Sequence, residues 1–252
     1  MPYKFATQQL DYSDYASGRV LYSLPGHPAF PVRLASEIFQ RCLARRAAAG
    51  HTQPVTLYDP CCGGAYHLCA LAYGHWRAIQ AIVASDVDAQ AVQLAARNLS
   101  LLTAEGMARR IRELRANLED YGKESHQAAL QSAELLHEEV VILAGRQPIR
   151  TAVFQASAFD SVAHMSHLRE TRVDVVLTDI PYGLQSAWRL DNPEQAKNPA
   201  GAMLRALREI LHAGSIVAIA ADKQQKIADD GYDRVERFQV GKRQVVLLKP
   251  RL

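Results

Sequence analysis

Residues 55–76 read VTLYDPCCGGAYHLCALAYGHW, so that an apolar run, an aspartate, a glycine-rich turn and a helical apolar pattern follow one another directly. Residues 55–58 have the continuous apolar character of a strand buried on both faces, and they end at Asp59. The helical pattern covers residues 65–76. A strand, a tight turn and a helix in this order predict one unit of an α/β sheet.

Two more apolar runs end in the same way along the chain. Residues 79–85 end at Asp86, residues 173–178 end at Asp179, and a helical pattern over residues 89–102 follows the first of them. Further strands are predicted at 151–156 and 215–220, and an edge hairpin at 234–240 and 243–248. We therefore expect an α/β fold with a doubly wound seven-stranded sheet whose last strand is antiparallel. Ligands of such sheets bind at the carboxyl ends of the strands, where the three aspartates lie.

Two segments extend this alternation. Residues 1–30 form an N-terminal extension that is rich in Tyr, Pro and Gly and is expected to be irregular. Residues 104–148 form a long polar helical insertion, predicted to be two helices broken near Tyr121-Gly122. We expect residues 1–252 to form a single domain that includes both segments.

Composition limits the class of protein. Of the 252 residues, 48% are apolar and 22% are charged, which excludes disordered, collagen-like and coiled-coil chains. The net charge of +3 is too small to identify a nucleic-acid binder. Four cysteines, two of them adjacent, make no disulfide framework, and no apolar stretch approaches the length of a membrane span. A cytoplasmic protein is expected.

The turn after the first predicted strand suggests a ligand-binding loop. Glycines let the backbone approach a ligand closely, and the following helix offers free amides to an anion. The turn has neither the dinucleotide fingerprint G-x-G-x-x-G nor the Gly-Lys-Ser/Thr of a P-loop. It resembles the D-x-x-x-G-x-G loop of class I S-adenosylmethionine-dependent methyltransferases, with Ala65 in place of the last glycine.

That resemblance implies S-adenosylmethionine as the cofactor. Asp86 ends the second strand and can accept hydrogen bonds from both ribose hydroxyls, whereas Asp88 is expected to cap the next helix. Ser157 stands where such enzymes commonly have an acidic residue against adenine. The expected cofactor-binding residues are Asp59, Cys61, Gly63, Gly64, Asp86, Val87, Ser157, Ala158 and, at the carboxylate end, Arg33.

Residues 178–183, TDIPYG, are the most specific motif. They resemble the Asp/Asn-Pro-Pro-Tyr/Phe motif of enzymes that methylate an exocyclic amino group of a base, especially the variant of guanine-N2 enzymes that act on RNA. The expected catalytic residues are Asp179, Ile180, Pro181 and Tyr182. The Asp179 carboxylate and the Ile180 carbonyl would accept the hydrogens of the amine, Pro181 would fix the turn and Tyr182 would stack on the flipped base. A carboxylate favours guanine, which presents two neighbouring donors.

A narrower resemblance covers blocks from about residue 17 to residue 183. The blocks are PGHPAFPVRLA (25–35), EIFQR (37–41), YDPCCG (58–63), ASDVD (84–88) and VVLTD (175–179), and they resemble the avilamycin-resistance rRNA methyltransferase (AviRa) family. The resemblance implies methylation of a guanine amino group in 23S ribosomal RNA of the large subunit, and resistance to orthosomycin antibiotics. The chain departs from the family at Gly64-Ala65 and at Ser157, which concerns cofactor affinity more than reaction type.

Basic residues are in excess in residues 1–50, with six against three acidic residues, and in the tail, residues 205–252, with ten against six. The candidate RNA-binding residues are Arg19, Arg109, Arg110, Arg112, Arg115, Trp188, Lys242 and Arg243. The arginines of the insertion could instead form a solvated face paired with its glutamates, and Trp188 could simply cover the site. No metal is expected because the sequence has no C-x-x-C pair.

Two other functions remain open at this point. The same chemistry could serve an amino methyltransferase for tRNA or for DNA adenine. Alternatively, Ala65 and Ser157 could mark a non-catalytic RNA-binding relative with a weakened cofactor loop. The residues Asp179-Ile180-Pro181-Tyr182 argue against that second alternative, because binding alone does not require them.

Overall fold

The computed structural model of the protein describes residues 3–8, 10–15, 18–23, 30–168, 171–181, 188–190 and 193–252. Within them, the strands form a seven-stranded sheet in the order β3-β2-β1-β4-β5-β7-β6. The strands are β1 Val55–Asp59, β2 Ile79–Asp86, β3 Arg150–Gln155, β4 Val173–Asp179, β5 Leu211–Asp222, β6 Tyr232–Val240 and β7 Arg243–Pro250. Strands β1 to β5 are parallel, and β7 is antiparallel to both β5 and β6. The predicted fold class is confirmed.

Helices cover both faces of the sheet. They are α1 Val32–Ala48, α2 Tyr66–His75, α3 Ala89–Ser100, α4 Ala104–Tyr121, α5 Glu124–Arg146, α6 Ser161–Leu168, α7 Pro193–Lys197 and α8 Pro199–Leu207. Successive side chains of a strand point to opposite faces, and in β1 Leu57 packs with the core of α1 to α5 whereas Tyr58 packs with the core of α6 and α8. Among the described residues, no helix is long and apolar enough to cross a membrane.

The insertion consists of the two predicted helices, α4 and α5, which pack against each other. Thr103 caps α4 by accepting a hydrogen bond from the Gly106 amide, and Gly122 ends it with a φ of +59°. Both helices carry many polar residues, but Met107 and Leu114 of α4 are buried in the core beside α2 and α3. The insertion therefore shares the hydrophobic core of the sheet.

The N-terminal extension is held by a buried carboxylate. Glu37 of α1 is fully buried and accepts hydrogen bonds from the backbone amides of Lys4, Phe5 and Ala6, at 2.7 to 2.8 Å. Arg41, one turn further along α1, pairs with the same carboxylate at 2.6 Å. Three amides and a guanidinium balance the buried charge, and they hold the pKa of Glu37 below its usual value although burial alone would raise it.

A second anchor connects the extension to the glycine-rich turn. Asn98 of α3 is fully buried, and its amide oxygen accepts a hydrogen bond from the Tyr22 amide at 2.8 Å. Its amide nitrogen donates to the Tyr22 carbonyl at 3.1 Å and to the Gly64 carbonyl at 2.8 Å. One side chain thus fixes the extension and the turn relative to each other.

The Tyr22 side chain extends this anchor to the insertion. Its hydroxyl donates to Glu113 of α4 at 2.8 Å. Its ring lies between the guanidinium groups of Arg97 and Arg110, 3.9 and 4.3 Å from the ring centre. The described part of the extension is therefore tied to both α3 and α4 by polar contacts, and it includes the short 3-10 helix Ser13–Tyr15.

We predict that Asn98→Asp destabilises the protein by about 3 kcal/mol or more, because a carboxylate replaces the donor to two buried carbonyls. The free energy of unfolding from urea titrations measures the effect. The loss of stability relative to the wild type should become smaller as the pH falls, because a protonated carboxyl at position 98 can donate one hydrogen bond. This contribution is lost again as the pH rises and the carboxyl ionises.

Asn117→Asp on α4 is the matched control and should change stability little. Equal stability of the two variants would contradict the role assigned to Asn98.

Candidate active site

The three strand-end aspartates lie at one edge of the sheet, as their positions after the apolar runs indicated. Asp59 pairs in register with Ala84 of β2, two residues before Asp86, and Asp179 ends the neighbouring strand β4. The carboxyl ends of β1, β2 and β4 therefore meet here. Asp59 is fully buried, whereas Asp86 and Asp179 are partly exposed.

The glycine-rich turn is held by hydrogen bonds to strand ends. Asp59 accepts from the Cys61 amide at 2.9 Å, and the Ser85 carbonyl accepts from the Cys62 amide at 3.0 Å. The Gly63 amide donates to one oxygen of Asp86, also at 2.9 Å. These bonds join the turn after β1 to the end of β2 and fix its shape.

Left-handed backbone conformations explain the small residues of this turn. Gly63 has a φ of +50°, and Ala65 has a φ of +55°. The resemblance to the methyltransferase loop predicts glycine at position 65, and the structure shows the physical reason, because an L-residue adopts this conformation at a cost of about 1–2 kcal/mol. The alanine methyl group is fully buried, and this burial offsets part of that cost.

Gly64 is required for packing rather than for its backbone angles. A Cβ atom at this position would lie 2.6 Å from Cδ2 of Leu94 and 3.2 Å from its Cγ. Leu94 belongs to α3 and is itself buried. The glycine therefore lets α3 approach the turn closely.

Both oxygens of Asp86 accept backbone hydrogen bonds, one from Gly63 and the other from Asp88 at 3.0 Å. Burial raises the pKa of the Asp86 carboxyl, and these two hydrogen bonds partly offset the effect. Asp88 accepts from the Gln90 amide at 3.1 Å and caps α3, which confirms its predicted role. Each carboxylate oxygen has two lone pairs, so Asp86 keeps acceptor capacity for a ligand.

A buried histidine lies beside Asp59. Nε2 of His67 is 3.0 Å from Oδ2 of Asp59, and both side chains are almost completely buried. The ring of Phe30, just before α1, meets the His67 ring edge-on at 5.7 Å. His67 is a neighbour of the site that the sequence analysis did not single out, since only the three-dimensional structure reveals its partner.

The loop after β3 contributes Ser157 and Ala158. The hydroxyl oxygen of Ser157 accepts a hydrogen bond from the Phe159 amide at 3.3 Å, and Ala158 is buried. Gln155, at the end of β3, donates to the Val87 carbonyl at 3.0 Å. The Gln155 bond connects the end of β3 to the loop after β2, so all the predicted cofactor-binding loops lie at one edge of the sheet.

The motif at the end of β4 continues the sheet by one bond, from the Ile180 amide to the Ala220 carbonyl at 3.0 Å. Ile180 is buried. The side-chain amide of Gln225, in the loop after β5, donates to the Pro181 carbonyl at 3.0 Å. Tyr182 lies outside the described residues.

Gln225 is in turn fixed by its neighbours. Its side-chain oxygen accepts from the Asp222 amide at 3.2 Å, and buried Gln244 of β7 donates to the carbonyls of both Asp222 and Gln225. Sequence reasoning missed both glutamines, because they are distant in sequence from the motif they support. The loop after β5 is thus hydrogen-bonded to the turn that follows Asp179.

Arg243 also contacts this turn. It is the first residue of β7, and its Nη2 lies 3.8 Å from Oδ2 of Asp179. Its guanidinium lies 5.6 Å from the centre of the Phe30 ring. The sequence analysis proposed a phosphate contact for Arg243, and the structure places its charge beside the predicted catalytic carboxylate instead.

Cys61 lies among the aspartates of the site. Burial raises the pKa of its thiol well above the usual value, and the nearby charges of Asp59 and Asp86 raise it further. The thiol is therefore neutral and unsuited to act as a nucleophile. Across the described part of the chain, no group of three or more His, Cys, Asp or Glu side chains has an arrangement that could hold a metal ion.

Two predicted ligand-binding arginines have structural contacts. Arg110 is buried and donates to the carbonyl of Val20 at 2.8 Å and to that of Arg19 at 3.4 Å, so its guanidinium binds the extension where the sequence analysis expected an RNA contact. Arg33 donates to the carbonyls of Ala6 and Thr7, both at 2.9 Å, which ties α1 to the extension. Its contacts give no support to a role at the cofactor.

The other RNA candidates vary in exposure. Arg19 lies 3.7 Å from Asp14, Arg115 pairs with Glu134 at 3.2 Å and Arg109 lies 3.5 Å from the Ser100 hydroxyl. Arg112 and Lys242 are exposed. The Trp188 ring lies 5.1 Å from the Phe159 ring and is half-buried. Arg115 therefore fits the alternative of a solvent-exposed arginine paired with a glutamate of the insertion. Arg112 and Lys242 stay candidates for RNA binding.

The sequence matches the family model described as rRNA methyltransferase AviRa over residues 1–243. It is 42% identical, over 247 residues, to the 23S rRNA (guanine(2535)-N(1))-methyltransferase of Streptomyces viridochromogenes, covering 98% of this chain and 95% of the relative. Two solved structures of the rRNA methyltransferase aviRa from the same organism superpose with TM-scores of 0.86 and 0.87. Their sequences are 40% and 39% identical to this one, and each match covers 100% of this chain and 97% of theirs.

We predict that Gly64→Ala destabilises the protein by about 1–3 kcal/mol, since the new methyl group forces Leu94 and α3 to move. Gly74→Ala is the matched control, because Gly74 is exposed on α2 and its Cβ position has no neighbour within 4 Å. Urea unfolding compares the two variants. A Gly64→Ala protein as stable as the Gly74→Ala protein would refute the packing role of Gly64.

Proposed function

The chain belongs to the AviRa family of rRNA methyltransferases, and from this membership we propose that it transfers a methyl group from S-adenosylmethionine to N1 of a guanine in 23S ribosomal RNA. The observation that carries the proposal is the position of Asp179, a partly exposed carboxylate at the same sheet edge as the glycine-rich turn. Methylation of an rRNA guanine is what the sequence motifs led us to expect.

The residues at the sheet edge fit S-adenosylmethionine. A Cβ at Gly63 would meet no atom within 4 Å, so the turn leaves open space beside the backbone. Asp86 offers carboxylate oxygens suited to the ribose hydroxyls, and Ser157 and Ala158 lie on the neighbouring loop, where we place the adenine. When bound, this cofactor supplies an electrophilic methyl group whose bond to sulfur breaks, with its electron pair going to sulfur, as the new bond to nitrogen forms.

The relative from Streptomyces viridochromogenes is named for N1, whereas the motif by itself suggested the exocyclic amino group. We propose N1 for this chain because of the chemistry that the site offers. N1 of neutral guanine carries a proton, and its lone pair becomes available for a new bond only when that proton leaves. The Asp179 carboxylate can accept the proton, and the Ile180 carbonyl can accept a hydrogen bond from the neighbouring amino group.

The Watson–Crick edge of a paired guanine is inaccessible, so the base must be unpaired or flipped out of its helix. Stacking of that base on Tyr182 stays a prediction. A methyl group at N1 changes the shape and hydrogen bonding of the rRNA around it. This change is the physical basis for the orthosomycin resistance that the family resemblance implies.

Exposed lysines lie in the loop after β5 and in the turn between β6 and β7, on one side of the proposed catalytic edge. The amide of Lys223, after β5, donates to the Lys242 carbonyl in the turn between β6 and β7 at 3.2 Å. Both side chains are exposed, as is that of Lys226. Three ammonium groups next to the site can neutralise phosphates of an RNA strand without contacting its bases. We propose that these lysines, with Arg112 on α4, hold the rRNA.

We predict that Asp179→Asn lowers kcat by about 10²–10⁴-fold, because the amide cannot accept the N1 proton. Transfer of tritiated methyl groups to unmodified 23S rRNA gives the rate, and calorimetry gives the affinity for S-adenosylmethionine. That affinity should stay close to the wild-type value.

Asp120→Asn, at an exposed position near the end of α4, is the control and should leave the rate unchanged. If Asp179→Asn lost cofactor binding and activity equally, Asp179 would serve the cofactor instead.

We predict that the double variant Lys223→Ala/Lys242→Ala raises KM for the RNA without changing kcat. The slope of log K against log salt for RNA binding should become shallower by about 2, since each phosphate contact contributes about 0.9. Lys249→Ala provides the control, because Lys249 lies at the other end of β7. An unchanged salt slope would show that these lysines do not contact the RNA backbone.

A further inference from the structure

The side chain of Arg243 reaches the predicted catalytic turn from the antiparallel strand of the sheet. Arg243 pairs in register with Asp222, the last residue of β5, so it lies at the carboxyl edge. Its Nη2 is 3.8 Å from Oδ2 of Asp179, and the two side chains are 30% and 22% exposed. The distance is longer than a hydrogen bond, and the partial exposure of both groups allows a third group to approach them.

We propose that Arg243 is a catalytic residue that donates a hydrogen bond to O6 of the target guanine while Asp179 accepts the N1 proton. The proposal rests on the proposed function, methylation of guanine N1. Arg243 then has two roles: it recognises guanine, and it stabilises the negative charge that develops on the base.

The recognition task follows from the Watson–Crick edge of guanine, which presents an acceptor at O6, a donor at N1 and a donor at N2. A guanidinium has only donors and a carboxylate has only acceptors, so the two groups side by side match O6 and N1. Adenine presents a donor at N6 and an acceptor at N1, which would face the wrong partner at both positions. The Asp179–Arg243 pair therefore selects guanine more strictly than Asp179 alone.

The catalytic task follows from where the charge goes when N1 loses its proton. The proton moves to the Asp179 carboxylate, and the electron pair left on N1 is shared with O6 until it forms the bond to the methyl carbon. A cationic donor at O6 stabilises this negative charge as it develops. The methylated base is neutral, so the interaction is strongest during the transfer, which is the condition for an effect on kcat.

Several contacts fix the strand that carries Arg243 relative to the turn. Gln244, the next residue along β7, is buried and holds the carbonyl of Gln225, whose own side chain holds the Pro181 carbonyl. The strand that carries Arg243 and the turn that follows Asp179 are thus parts of one hydrogen-bonded unit. The centre of the Phe30 ring lies 5.6 Å from the guanidinium. A donor carried on a strand that is fixed in this way needs less reorganisation during the reaction than one on a mobile segment.

The test compares Arg243→Ala and Arg243→Lys with Arg234→Ala, an exposed arginine of β6 whose partner in register is Leu248, towards the opposite end of β7. The measurements are kcat and KM with 23S rRNA, the affinity for S-adenosylmethionine and the identity of the product nucleoside by mass spectrometry. We expect Arg243→Ala to lower kcat by about 10²–10³-fold with cofactor affinity unchanged. Arg243→Lys should lie between it and the wild type, and Arg234→Ala should match the wild type.

Added guanidinium ion at non-denaturing concentration supplies a readout that a purely structural role would not move. It should restore part of the rate of Arg243→Ala and none of the rate of Asp179→Asn. A rate for Arg243→Ala within about threefold of the wild type, a parallel loss of cofactor affinity, or no rescue would each overturn the proposal. A wild-type product other than 1-methylguanosine would refute the proposed function itself, so the two failures are distinguishable.

Discussion

Parallel pairing of β1, β2 and β4 is the constraint on which the site depends. It brings the carboxyl ends of three strands to one edge, and with them Asp59, Asp86 and Asp179. Three carboxylates at one edge would repel one another, and the structure counters this with backbone amides. The amides of Cys61, Gly63 and Asp88 donate to two of the aspartates. The glycine-rich turn is therefore shaped by the charges that it neutralises.

The fold and the outline of the site could be predicted because their signals are local. Each apolar run that ends in an aspartate marks a strand end, and parallel strands place such ends together. The two helices of the insertion follow in the same way from their polar helical pattern and from Gly122. Relations between distant segments leave no local signal. For this reason the contact of Gln225 with the Asp179 turn, and the burial of Arg110 against the extension, became visible only in the structure.

The N-terminal extension shows how charged residues can be misread from sequence. An arginine in a polar segment is equally compatible with a phosphate contact and with a buried hydrogen bond to a carbonyl. Arg110 and Arg33 both bind backbone carbonyls of the extension, while Glu37 and Asn98 bind its amides. These contacts make the described parts of the extension a fixed part of the core beside the glycine-rich turn. Arg33 and Arg110 thus have structural contacts where the sequence suggested ligand contacts.

The central claim is that this edge of the sheet presents an acceptor and a cationic donor to the Watson–Crick edge of a guanine. The most direct measurement is the identity of the nucleoside formed when the wild-type protein, S-adenosylmethionine and unmodified 23S rRNA react, determined by digestion and mass spectrometry against authentic standards. The account predicts 1-methylguanosine at one position of the rRNA. Formation of N2-methylguanosine or of a methylated adenosine would contradict it.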